Sequence, residues 1–125
     1  MYKLLIVLAL VVVMNVDLKA QTNAKYMQIT TIESVVGGGL GRSKMIISKE
    51  DGSQEERDLE NLFSMTGINF KNIKSNESAI LAVIKSYTDA GWKLMSTVPL
   101  TLSPAQGGAG IFMTRYLLVK DDEKK

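Results

Sequence analysis

The chain contains no cysteine and no histidine among its 125 residues. It therefore cannot form disulfides, a Ser-His-Asp or Cys-His catalytic site, a His-ligated zinc site or an iron–sulfur centre. We expect no bound cofactor, no metal site and no enzymatic activity. Carboxylates, lysines, tyrosines and hydroxyls remain, so a small carboxylate-dependent hydrolase acting on envelope carbohydrate stays open as the alternative, as does an oxygen-ligated Ca²⁺ site.

The chain also has no large excess of positive or negative charge, since its 15 Lys and Arg residues nearly balance its 13 Asp and Glu residues. A formal net charge of +2 gives no reason to expect binding to nucleic acid or to anionic lipid. One acidic run could supply a carboxylate pair, although a solvated edge strand explains it with fewer assumptions. Its members are Glu55, Glu56, Asp58 and Glu60.

The only long apolar run occupies residues 4–14, after Lys3 and before the small residue Ala20. This run is too short to cross a bilayer of about 30 Å as a helix, but its length is typical of a secretory signal. The pattern predicts a signal peptide over residues 1–20, with an uncleaved N-terminal anchor as the alternative. Once it is removed, we expect no membrane insertion.

The rest of the chain has strand patterns around one helix. Residues 26–36, 44–49, 92–102 and 111–120 alternate or are apolar throughout, and the polar residues 54–59 follow an Asp-Gly turn as a predicted edge strand. These patterns predict one small α+β domain over residues 21–120 and a charged tail over residues 121–125. The expected fold is a mostly antiparallel sheet of four to five strands with one main helix packed on one face.

The helix is marked by apolar residues at i, i+3, i+4 and i+7, beginning with Ile80. We expect Ser75 or Asn76 to cap its start and Gly91 to end it in a left-handed conformation. The preceding residues 60–75 have no clear period and are interpreted as a short helical turn and a connecting loop. The stripe comprises Ile80, Val83, Ile84 and Tyr87.

The stretch VVGGGLGRSK at residues 35–44 raises the question of phosphate binding. Both the dinucleotide fingerprint and the P-loop require glycine at the sixth position, which is Arg42 when counted from Gly37. Both also require a helix to begin at the loop, whereas the following residues predict a strand. We interpret this glycine loop as a hairpin connection.

Residues 79–96, above all the helix end followed by Gly91, Trp92 and Leu94, resemble a family of very small bacterial proteins catalogued as domain of unknown function 4177. Residues 111–115 are similar to the closing strand of that family, and residues 26–32 to its opening strand. The resemblance implies a sheet with a helix packed on it and a bacterial source, but no activity. With the signal segment, it leads us to expect a periplasmic or secreted protein of uncharacterised function.

The last strand predicts where such a protein binds, because it has apolar residues on both of its faces. One helix covers only one face of a sheet, so we expect the other face to pack on residues 60–75, on a second copy or on an envelope protein. Arg115 pairs with Glu33 or another carboxylate across the sheet, or it contacts that partner. The predicted partner-binding residues are Phe112, Tyr116, Leu118 and Arg115.

Cleavage of the signal segment is directly testable. The secreted protein is expected to begin at Gln21, and the intact mass of protein recovered from the periplasm measures this. Protein that retains residues 1–20 and sediments with the membranes would show that the segment is an anchor.

Overall fold

The computed structural model describes residues 23–36, 42–102 and 110–122. Its elements, in chain order, are β1 (Ala24–Ser34), β2 (Lys44–Ser48), β3 (Gln54–Asp58), β4 (Phe63–Ser64), β5 (Gly67–Ile68), α1 (Phe70–Asp89), β6 (Lys93–Leu102) and β7 (Ile111–Asp121). The predicted α+β fold is confirmed. The glycine loop, residues 37–41, and the proposed signal segment lie outside the described residues.

Five strands form one antiparallel sheet in the order β3-β2-β1-β7-β6. The long strands β1 and β7 lie at its centre and pair over eleven positions, from Ala24 with Asp121 to Ser34 with Ile111. The Asp-Gly turn joins β2 to β3 as predicted, with Gly52 at a φ of 83°. The strands β4 and β5 form a separate two-stranded sheet just before the helix.

The helix α1 packs on one face of the five-stranded sheet through the predicted stripe. Val83 is 3% exposed, and Ile80, Ile84, Tyr87 and Trp92 pack against the core cluster to which it belongs. On the sheet, every second residue of a strand points toward the helix, and these residues form the core. They are Met27, Ile29, Met45, Ile47 and Leu118, together with Leu59 from the loop after β3.

The helix ends where the sequence predicts and begins earlier. Gly91 has a φ of 90°, and the Trp92 amide donates to the Tyr87 carbonyl, as in a Schellman cap. The predicted cap at Ser75 or Asn76 is wrong, because the first helical residue is Phe70. Asn69 is the N-cap, and its Oδ1 accepts hydrogen bonds from the amides of residues 71 and 72.

Asn76 is instead a buried side chain that joins the helix to the sheet. Its Nδ2 donates to Oε1 of Glu33 at 2.9 Å and to the Glu60 carbonyl at 2.8 Å. Its Oδ1 accepts from the Glu60 amide at 2.8 Å. With 1% of its surface exposed, Asn76 fixes the helix, the loop at Glu60 and strand β1 relative to one another.

We predict that Asn76→Ala lowers the free energy of unfolding by about 1–3 kcal/mol, because its hydrogen-bond partners lose their contacts. Denaturant unfolding measures the change. The matched control, Ser78→Ala, alters an exposed residue of the same helix and should stay within about 0.5 kcal/mol. Equal effects of the two substitutions would show that the Asn76 contacts do not hold the helix in place.

Candidate functional site

The structure separates the four predicted partner-binding residues. Leu118 is 0% exposed and belongs to the core beneath the helix, with Tyr116 packed against that core. Phe112 lies on the same face of β7 but is 44% exposed. Arg115 points to the opposite face, since side chains alternate along a strand. The four residues therefore do not form one surface, and Leu118 is not accessible to a partner.

Arg115 lies in the middle of the sheet face that the helix does not cover, which we call the open face. Its cross-strand neighbours are Thr30 on β1 and Val98 on β6. The predicted pairing with Glu33 is wrong, because Glu33 is opposite Phe112 and so shares the helix-covered face. Arg115 is exposed and forms no ion pair within the described part of the chain.

The open face is apolar at one side of the sheet and polar at the other. On the β3 side it ends in Glu56 and in Asp58, whose carboxylate pairs with Lys44. On the other side it is lined by side chains of β1, β7 and β6 that pair across the strands. These are Ile32, Val98, Leu100, Leu102, Ile111, Met113 and Leu117.

A register shift in β6 creates this apolar side. The sequence pattern predicts Leu94 and Val98 on one face, but the pairing shifts between Leu94 and Ser96. Leu94 therefore pairs with the core residue Leu118, whereas Val98 pairs with Arg115 on the open face. Such a bulge turns the later residues of a strand to the other face. As a result, Val98, Leu100 and Leu102 are exposed by 47%, 44% and 62% of their surface.

A groove on the other face runs between the helix and the strands β1 and β7, with a volume of about 530 Å³. Two carboxylates and a phenol line it: Glu33 from β1, Glu77 from α1 and Tyr116 from β7. Aliphatic side chains form the remaining walls. They are Leu62, Ile73, Ile80, Leu81 and Ile84. None of these residues was recognised as a group in the sequence, because three separate elements bring them together.

The groove affects the ionisation of Tyr116. Burial raises the pKa of the Tyr116 phenol above its ordinary value of 10.0, and the nearby Glu33 charge raises this pKa further. The side chain therefore remains a neutral hydrogen-bond donor at neutral pH. Its hydroxyl has no hydrogen-bond partner among the residues that the structure describes.

In the acidic run singled out in the sequence, Glu56 and Asp58 share the open face, and the Asp58 carboxylate pairs with Lys44. Glu55 and Glu56 are consecutive on β3 and so point to opposite faces. Arg57 donates a hydrogen bond to Glu55, and this bond, together with the charges of Arg57 and Lys49, holds the pKa of Glu55 below its ordinary value. The run forms the solvated edge strand that was expected.

The described residues contain no cluster of three or more acidic side chains that could hold a metal ion. Within the same residues, the single helix is not long and apolar enough to span a bilayer. No family model, curated protein or solved structure matches the chain. The resemblance to the small bacterial family therefore stays a prediction.

The raised pKa of Tyr116 predicts a loss of stability in alkali. The folded state disfavours the tyrosinate, so the stabilisation is complete below pH 10.0 and is lost as the pH rises through the higher pKa of the folded protein. Ultraviolet absorbance of tyrosinate measures the titration, and denaturant unfolding at about pH 9 and about pH 11 measures the stability. The Tyr116→Phe protein serves as the comparison, because it retains the effect of lysine deprotonation on stability and lacks that of Tyr116.

In the Tyr116→Phe protein, the free energy of unfolding should fall less between about pH 9 and about pH 11 than in the original chain. The Glu33→Gln protein should ionise Tyr116 at a lower pH than the original chain. A Tyr116 that titrates at or below pH 10.0 in the folded protein would contradict the assigned environment.

Proposed function

We propose that the chain is a non-catalytic assembly module, exported to the periplasm or surface of a bacterium, which binds a second copy of itself through the open face. The observation that supports this is the apolar side of that face, where Val98, Leu100 and Leu102 of β6 are exposed beside half-buried apolar residues of β7. Exposed apolar patches of a few hundred Å² or more usually mark interaction sites on soluble proteins.

The difference between the two edge strands favours contact at the β6 edge over the β3 edge. Strand β3 has the sequence QEERD, and charged residues on an edge strand oppose pairing with another chain. Strand β6 is uncharged from Leu94 to Leu102, and all of its residues are exposed. A second copy would therefore meet no like charge along this strand.

The contact is expected to form through side chains more than through a continuous backbone ladder. Pro99 lies in β6 and has no amide hydrogen, so it interrupts pairing along an edge. The apolar side chains of Leu100, Met113 and Ile32 form a cross-sheet row beside it. Because a two-fold dimer is the commonest assembly of identical chains, we expect the two rows to pack against each other.

Arg115 limits how the two copies are arranged. It lies one row away from Leu100 and Met113, on the Thr30 and Val98 row. Two-fold symmetry about Arg115 would bring two guanidinium groups together, so the axis should pass nearer to Met113. Arginine is common in protein interfaces, where its planar group also packs on apolar neighbours.

The alternative function, a small carboxylate-dependent hydrolase acting on envelope carbohydrate, has one supporting feature in the structure. Glu33 and Glu77 line the same groove, and two carboxylates are what such a reaction requires. Aliphatic side chains make up most of the groove wall, which suits an apolar ligand better than a sugar. Oligosaccharide hydrolysis that Glu77→Gln abolishes would favour the enzyme.

We predict that the protein without residues 1–20 sediments as a dimer at micromolar concentration and that Leu100→Lys shifts it to monomer. A lysine at this position places an unpaired charge inside the proposed contact. Leu100 is 44% exposed, so the substitution should leave the fold intact, as circular dichroism would show.

The matched control is Leu81→Lys, which changes a leucine of the helix that is 66% exposed. This variant should remain dimeric, since Leu81 lies away from the open face. A monomeric original protein, or equal dissociation by the two substitutions, would argue against assembly through the open face.

A further inference from the structure

The groove between α1 and strands β1 and β7 has the size and wall chemistry of a small-molecule site. Its volume of about 530 Å³ falls within the range of about 300–1,000 Å³ that is usual for ligand pockets. Five aliphatic side chains and Tyr116 form most of its lining. A ligand that enters it therefore needs an apolar body.

The charged residues of the groove all have one sign. Glu33 and Glu77 contribute carboxylates, and no lysine or arginine belongs to the lining. Neither carboxylate forms a salt bridge with a described residue. The groove is therefore complementary to a positive charge, in contrast to β3, where Arg57 and Lys49 neutralise Glu55.

Glu33 is held in a defined position. Its Oε1 accepts the hydrogen bond from Asn76 at 2.9 Å, and its Oε2 has no partner among the described residues. The carboxylate is thus oriented by one oxygen while the other is left to accept a hydrogen bond from a ligand. Tyr116, whose ring also lines the groove, can bind a cation on its face.

We propose that this groove binds a small amphipathic amine, with its ammonium group at Glu33 and its aliphatic chain along Ile73, Ile80 and Ile84. A charge-assisted hydrogen bond to Oε2 of Glu33 fixes the ammonium group. Glu77 adds a second negative charge at the groove. The walls bury the aliphatic chain, which supplies most of the binding free energy.

This site is independent of the proposed self-association. The groove lies on the helix-covered face, and the proposed contact between copies lies on the open face. Leu100→Lys should therefore leave amine binding unchanged, and Glu33→Gln should leave sedimentation unchanged. The two proposals can fail separately.

The test uses octylammonium as the probe, with octanoate and octanol as probes of equal chain length, each titrated against the protein without residues 1–20. Calorimetry measures affinity, and amide chemical shifts locate the site. We expect octylammonium to bind and to shift residues of the groove, with octanol binding weakly and octanoate not at all. Binding of octanoate or octanol as tightly as octylammonium would overturn the proposal, and so would no octylammonium binding at millimolar concentration.

The decisive variant is Glu33→Gln, which keeps one oxygen to accept from Asn76 and replaces the charged Oε2 by an uncharged amide NH2 group. It should weaken octylammonium binding by about fivefold to tenfold, or about 1–1.4 kcal/mol. The matched control, Glu56→Gln, removes an exposed carboxylate from β3 and should have no effect. Equal affinities of the two variants would refute the assigned role of Glu33. A short lysine peptide that binds more tightly than octylammonium would show that the groove recognises a protein instead.

Discussion

The structure depends on a simple constraint of width. Strands in a sheet lie about 4.8 Å apart, so the outer strands of five are separated by about 19 Å, whereas a helix with its side chains is about 10 Å wide. The one described helix therefore covers about half of one face. Its stripe packs against one core cluster that includes Ile29 of β1, Ile47 of β2 and Leu118 of β7. Strand β6, whose residues are all exposed, remains without a cover.

Polar contacts fix the position of the helix within this limit. Asn76 joins α1 to Glu33 and Glu60, while Asn69 caps its first turn. The same contacts orient the Glu33 carboxylate toward the groove. One buried amide thus links the fold to the proposed ligand site, because the side chain that positions the helix also positions the charge.

The sequence predicts features that depend on neighbouring residues, and it misses those that depend on distant ones. The stripe from Ile80 to Tyr87 and the stop at Gly91 follow from local period and conformation. Asn76 was interpreted as a cap because its partner Glu33 lies 43 positions earlier. The sequence pattern also places Leu94 and Val98 on the same face of β6. This prediction is wrong, because the bulge near Met95 depends on the pairing of β6 with β7. Ile80 and Ile84 of the groove belong to that stripe, but no local pattern shows that Glu33 and Tyr116 from two distant strands lie beside them.

The central claim is that apolar residues of β6 and β7 on the open face are covered by a second copy. Amide hydrogen exchange of the protein at low and high concentration tests this most directly, because each strand reports separately. The account predicts that exchange in β6 slows as the concentration rises, while exchange in the charged edge strand β3 does not change. Identical exchange in β6 at both concentrations would contradict it.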